Sequence, residues 1–303
     1  MIGAGTLRRS MVEEQEYHRF FMALLRWKPM SLCLLVDANQ SNSTGFPTWV
    51  PRWNRPGCTA WISEKCIYET TQGGIYSCVK RHGLPLLNVD NMTLSVFGCF
   101  LDQVTCAIDV LKMDTPNADF GLVVAFLEWM SRAQLLVDSQ FLSSGEEFEN
   151  VLKQLLPVGI QDPPMSNNIT KPLKAWLGII FGYANEYLPP RKYSEQTTPH
   201  SDHVFRIFDQ IRQVPDALAC HQALVEHMCG KIALFVTKQG RIGAGSIGIK
   251  DNDTIHRISG VPLPMVLRKE GFAREYQVVG PARIRDEKHQ HIWRYKFRRM
   301  DLV

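Results

Sequence analysis

Apolar positions change their spacing twice along this chain. Short runs that alternate apolar with polar residues, bounded by Gly, Pro, Asn or Asp, lie at about 58–108 and again at about 231–297, and such runs predict β-strands. Between them, at about 118–229, apolar residues recur every three or four positions, which predicts helices. Strands, then helices, then strands, without strand–helix alternation, predict an α+β fold: two antiparallel β units packed with a layer of helices.

The N-terminal part predicts one more helix and an extended segment. Ser10-Met-Val-Glu13 fits a capping box, and an amphipathic helix follows it and ends before Pro29. The segment Phe46-Pro-Thr-Trp-Val-Pro-Arg-Trp53 holds two prolines, which favour extended backbone. We expect residues 1–303 to form a single domain, with the loop at 157–168 as a possible internal boundary.

Three groups of residues resemble fungal heterokaryon-incompatibility (HET) proteins, in the region near their C terminus. Between 231 and 280, an aromatic-containing strand and a Thr-x-x-Gly turn lead to a Gly-rich strand, an Asp-started strand and a closing Pro-x-x-Leu-Arg then Tyr-x-x-Val-Gly. This first group is Phe235, Thr237, Gly240, Gly243, Gly245, Asp253, Gly260, Pro264, Leu267, Arg268, Tyr276, Val279 and Gly280. The other two are Pro47, Trp49, Val50, Pro51 and Trp53, and then Leu94, Val96, Gly98 and Asp102.

The resemblance implies the C-terminal region of a HET protein without its N-terminal half. In HET proteins a half that resembles TIR-type nucleotide-hydrolysing domains precedes the Trp-Val-Pro motif, whereas about 46 residues precede it here. Self/non-self killing is usually attributed to that half, so we do not expect it to transfer. Phe46, Thr48 and Arg52 depart from the Leu, Ser and Asp of the family motif.

Composition narrows the class of protein. The chain has 34 Lys and Arg against 30 Asp and Glu, a formal net charge of +4, which is too weak a balance to predict a nucleic-acid partner. No uncharged stretch reaches the roughly 18 residues of a membrane span, and no signal peptide opens the chain. The 8 cysteines include no C-x-x-C pair, which favours free thiols and a cytoplasmic protein.

Two motifs suggest cofactors but lack the structural context that these need. Gly243-Ala-Gly-Ser-Ile-Gly248 fits G-x-G-x-x-G, yet a dinucleotide loop must open a helix and the polar segment IKDND follows here. Cys220, His221, His227 and Cys229 fall on one predicted helix, where they cannot close a tetrahedron around zinc alone. The sequence therefore predicts no nucleotide, metal or covalent cofactor.

Two functions from different classes fit these features. The first is a cofactor-independent enzyme of fungal secondary metabolism that binds an apolar small-molecule intermediate and promotes its cyclisation, for example a pericyclase of the Diels–Alder type. Such a reaction needs a shaped apolar cavity, a few hydrogen-bond donors and restricted conformers. The second is a non-catalytic interaction or regulatory module derived from a heterokaryon-incompatibility protein. The oligomeric state stays open.

The predicted pocket is built on the helix Lys171–Leu188, where aromatic residues surround two glycines one turn apart. We expect the glycines to leave a groove that the Phe46–Trp53 segment closes on one side. The predicted substrate-binding residues are Trp49, Trp53, Trp176, Gly178, Phe181 and Gly182. The predicted catalytic residues, which would hydrogen-bond a substrate carbonyl, are Tyr183, Tyr187, His203 and His221. The competing interpretation is that these aromatics are core, because aromatic stripes at helical spacing usually are.

Overall fold

The computed structural model describes the backbone of residues 4–27, 32, 34–36, 38, 47–51, 86–88, 93–110, 120–134, 170–187, 201–270, 274–284 and 296–303. In chain order the elements in these ranges are α1 (Ala4–Trp27), β1 (Leu86–Asn88), β2 (Thr93–Asp109), α2 (Phe120–Gln134), α3 (Thr170–Tyr187), α4 (Ser201–Gln213), α5 (Pro215–Met228), β3 (Ile232–Thr237), β4 (Ile242–Ser246), β5 (Thr254–Ile258), β6 (Met265–Glu270), β7 (Glu275–Ile284) and β8 (Arg298–Leu302). The predicted α+β class is confirmed. The possible boundary at 157–168 lies outside the described residues.

The two predicted β units form one sheet. Strand β2 is 17 residues long, and it pairs with strands of the second unit, with β3 through residues 104–109 and with β5 through residues 98–103. Its register shifts between Phe100 and Asp102 and between Val104 and Cys106, and such bulges bend a strand and increase its twist. The picture of two separate units is therefore corrected, because one long bent strand joins them.

Hydrogen bonding closes this sheet into a six-stranded barrel. The ring runs β2, β3, β4, β7, β6, β5 and back to β2, and each of these pairings is antiparallel. Strand β1 pairs with the start of β2, while β8 lies beside both β2 and β7 and runs parallel to β7. Closure gives each ring strand a partner on both sides, so the ring has no open edge.

Glycines make room for the side chains that fill the barrel. Apolar residues of β2, β3, β5, β6 and β7 form a cluster separate from the main core. A Cβ added at Gly243 would overlap the Phe235 ring, and one at Gly245 would lie 2.5 Å from Ile249 Cδ1. Both glycines of β4 therefore face the filled interior, so the Gly-rich motif serves packing.

Helices α2 to α5 pack against one another, and α2 also contacts β2 and β3. Their buried faces follow the predicted helical spacing. In α3 these residues are Leu173, Trp176, Leu177 and Ile180, and in α4 they are Val204, Ile207, Phe208 and Ile211. Pro215 begins α5, and Gly230, which follows the C-cap residue Cys229, takes a positive φ of 71°, a conformation in which glycine is favoured. Within the described residues, no helix combines the length and apolarity needed to cross a membrane.

Candidate functional site

Two of the predicted site residues meet in the centre of the helical layer. The Trp176 Nε1–H of α3 donates a hydrogen bond of 3.2 Å to His221 Nδ1 of α5, and both side chains are 0% exposed. Because Nδ1 accepts, a neutral His221 carries its proton on Nε2. Helical spacing explains the meeting, since Trp176 shares the buried face of α3 with Leu173 and Ile180.

Aromatic rings from two further helices surround this pair. Phe126 of α2 packs edge-on against Trp176 at 5.0 Å between ring centroids. Phe208 of α4 packs edge-on against His221 at 5.4 Å, and the Arg212 guanidinium lies 4.6 Å from the Phe208 centroid. The polar pair is therefore enclosed by apolar rings, and its hydrogen bond joins α3 to α5 inside the core.

The predicted glycine groove lies on the other side of α3. Gly178 and Gly182 are exposed, and a Cβ added at either would meet nothing within 4 Å. Two residues turn a helix by roughly 200°, so Gly178 points away from Trp176. Phe181 is half-buried. Trp176 and the two glycines therefore face opposite sides of one helix, so the predicted substrate-binding residues do not share one surface of α3.

The structure gives only the backbone of the other predicted catalytic residues. Tyr183 and Tyr187 lie in the last turns of α3 and His203 in the first turn of α4, but their side chains lie outside the description. Trp53 also lies outside the described residues. Of the four predicted catalytic residues, His221 is thus the one whose side-chain contacts are described.

The Trp-Val-Pro segment contacts both the N-terminal helix and the barrel. Trp49 is 1% exposed and contacts His18 and Phe21 of α1 at ring-centroid distances of 5.5 Å and 6.1 Å. Next to it, both the backbone N–H and the hydroxyl of Thr48 donate to the Val303 carbonyl oxygen. The same hydroxyl accepts a 2.7 Å hydrogen bond from the Val278 N–H of β7. Sequence analysis missed this role of Thr48, although the family pattern places another hydroxyl residue, Ser, there.

Three aspartates anchor the loop between β4 and β5. Arg268 makes two hydrogen bonds of 2.8 Å to the Asp253 carboxylate and one of 2.8 Å to the Gly248 carbonyl. Asp109 and Asp251 accept from the backbone N–H groups of Gly248 and Ala107, each at 2.9 Å. Burial raises the pKa of Asp109, against opposing effects of the Gly248 N–H and Lys250. These carboxylates hold backbone in place, and two residues that carry the resemblance, Asp253 and Arg268, pair with each other here.

A buried histidine on the barrel also escaped the sequence analysis. His256 of β5 is 6% exposed and its ring contacts Phe100 at 5.7 Å and Tyr276 at 5.3 Å. Its Nε2 has no hydrogen-bond partner. Burial lowers the pKa of His256 to about 4, so the ring is neutral at physiological pH. The alternation of residues Thr254–Ile258 predicts a strand with His256 on one face. Alternation alone does not show whether other parts of the protein bury that face.

The candidate metal-binding cysteines and histidines do not form a ligand set in the described part of the chain. Nowhere in that part do three or more His, Cys, Asp or Glu side chains gather as they would around a metal ion. Burial raises the pKa of the Cys220 thiol to about 12, which keeps it protonated and unreactive. The His227 side chain lies outside the description.

No family model, no curated protein and no solved structure matches this chain. The resemblance to HET proteins therefore stays a prediction from its motifs.

Proposed function

We propose that this chain is a non-catalytic interaction module of the kind derived from heterokaryon-incompatibility proteins. The hydrogen bond between Trp176 and His221 is the observation that carries the proposal. A group that polarises a substrate must present its polar atom to a cavity. Here the Trp176 Nε1–H is bonded to His221 Nδ1, and the remaining N–H of His221, on Nε2, belongs to a side chain that is 0% exposed, which favours a structural role for both.

The motif residues support the same proposal, because they have packing or anchoring roles. Gly243 admits the Phe235 ring into the barrel, Thr48 bridges Val303 and β7, and Asp253 pairs with Arg268. A sequence motif whose residues have these packing and anchoring roles specifies a fold. Since one fold can host many functions, the resemblance in these residues favours a scaffold and implies no reaction of its own.

The test separates turnover from structural support. The purified chain is incubated with an extract of apolar fungal metabolites, with heat-unfolded chain as the control, and metabolites are followed over time by mass spectrometry. We expect no metabolite to be consumed beyond the molar amount of protein. Repeated turnover by the folded chain alone would overturn the proposal.

Trp176→Phe adds a matched variant to this test, because it removes the N–H and keeps an aromatic ring. We expect it to lower the free energy of unfolding by about 1–3 kcal/mol, because it leaves His221 Nδ1 buried without its donor and puts a smaller ring in the core. Trp27→Phe, at an exposed position of α1, should leave stability unchanged. Turnover lost in Trp176→Phe with unchanged stability would assign Trp176 to a reaction.

Cyclisation of an apolar intermediate, such as a Diels–Alder reaction, is the second candidate. The observation that favours it is the open space at Gly178 and Gly182, beside the half-buried Ile179 and Phe181. Filling that space with Gly182→Leu should abolish product formation and preserve the fold if this candidate holds. Lys174→Leu, on the same exposed side of α3, is the control. Equal product formation by both variants would count against cyclisation at this groove.

A further inference from the structure

We draw no further inference here: the strongest candidate, the exposed face of α3 where Gly178 and Gly182 lie beside the half-buried Ala175 and Ile179, already serves as the groove of the second candidate function, and nothing in the described part of the chain shows what partner covers it.

Discussion

Acid should destabilise this protein through His256, and the structure sets the size of the effect. The ring is buried between Phe100 and Tyr276, and its Nε2 has no hydrogen-bond partner. Burial lowers its pKa from 6.5 to about 4. The unfolded chain therefore binds a proton more readily than the folded chain between these two values, so stability is full above pH 6.5 and falls as pH drops toward 4.

The lowering from 6.5 to about 4 corresponds to about 3 kcal/mol once both states are protonated. At about pH 5, where the unfolded ring is mostly charged and the folded ring mostly neutral, the loss relative to about pH 8 is about 2 kcal/mol. Urea unfolding at these two pH values measures it. His256→Leu removes the titration and, because Nε2 has no partner, leaves no broken hydrogen bond at that atom.

Other groups titrate as well, so the decisive quantity is a difference between proteins. Burial also lowers the pKa of His18, which adds to acid destabilisation, and raises that of Asp109, which opposes it. Both are present in the unmodified chain and in His256→Leu. We expect the unmodified chain to lose about 2 kcal/mol more than the variant between about pH 8 and about pH 5. Equal losses in the two proteins would refute the reasoning.

Two further predictions concern the barrel packing and the contacts of Thr48. Gly243→Ala should lower the free energy of unfolding by about 1–3 kcal/mol or more, because its Cβ would overlap the Phe235 ring and lie 2.8 Å from the Arg283 carbonyl oxygen. The same change at Gly178, an open helical position, should stabilise the protein by about 0.5–1 kcal/mol. Equal effects of the two changes in urea unfolding would contradict the barrel packing. Thr48→Val should cost about 1–3 kcal/mol, because it deletes a bond to Val303 and leaves the Val278 N–H without its acceptor. Thr48→Ser keeps the hydroxyl and should stay within about 0.5 kcal/mol of the original in melting experiments; a loss as large as that of Thr48→Val would exclude the hydroxyl as the cause.

Local periodicity was enough to predict the class of fold and the presence of helices, although α1 begins at Ala4 and the predicted cap at Ser10 lies inside it. Apolar residues every three or four positions at about 118–229 predicted helices, and in α4 the residues with that spacing, Val204, Ile207, Phe208 and Ile211, are buried. Barrel closure could not be predicted in this way, because it depends on β2 pairing with β3 and β5, which lie more than a hundred residues further along the chain. Alternation within a strand indicates two faces and does not identify the neighbouring strand.

The predicted pocket shows a different limit of reasoning from sequence. Helical spacing already places Trp176 and Gly178 on opposite sides of α3, but the sequence cannot say which side is covered. An aromatic stripe has the same pattern whether it lines a cavity or fills a core. His256 shows the converse, since a polar residue on an alternating strand is buried beneath Phe100 and Tyr276. Burial depends on elements distant in sequence, and it decided the role of each of these residues.

The residues that carry the resemblance to HET proteins have packing or anchoring roles in the fold. Phe235 with Gly243, Thr48 with Val303, and Asp253 with Arg268 each contribute to closing or anchoring the barrel. Changing any of them should alter stability first, so loss of activity in such variants would say nothing about a site. An exposed side chain such as Trp27 of α1 differs, because it can be changed at little cost to folding. An effect on binding or turnover without an effect on stability can therefore be expected at exposed positions, and it is the property that separates a functional surface from a packed one.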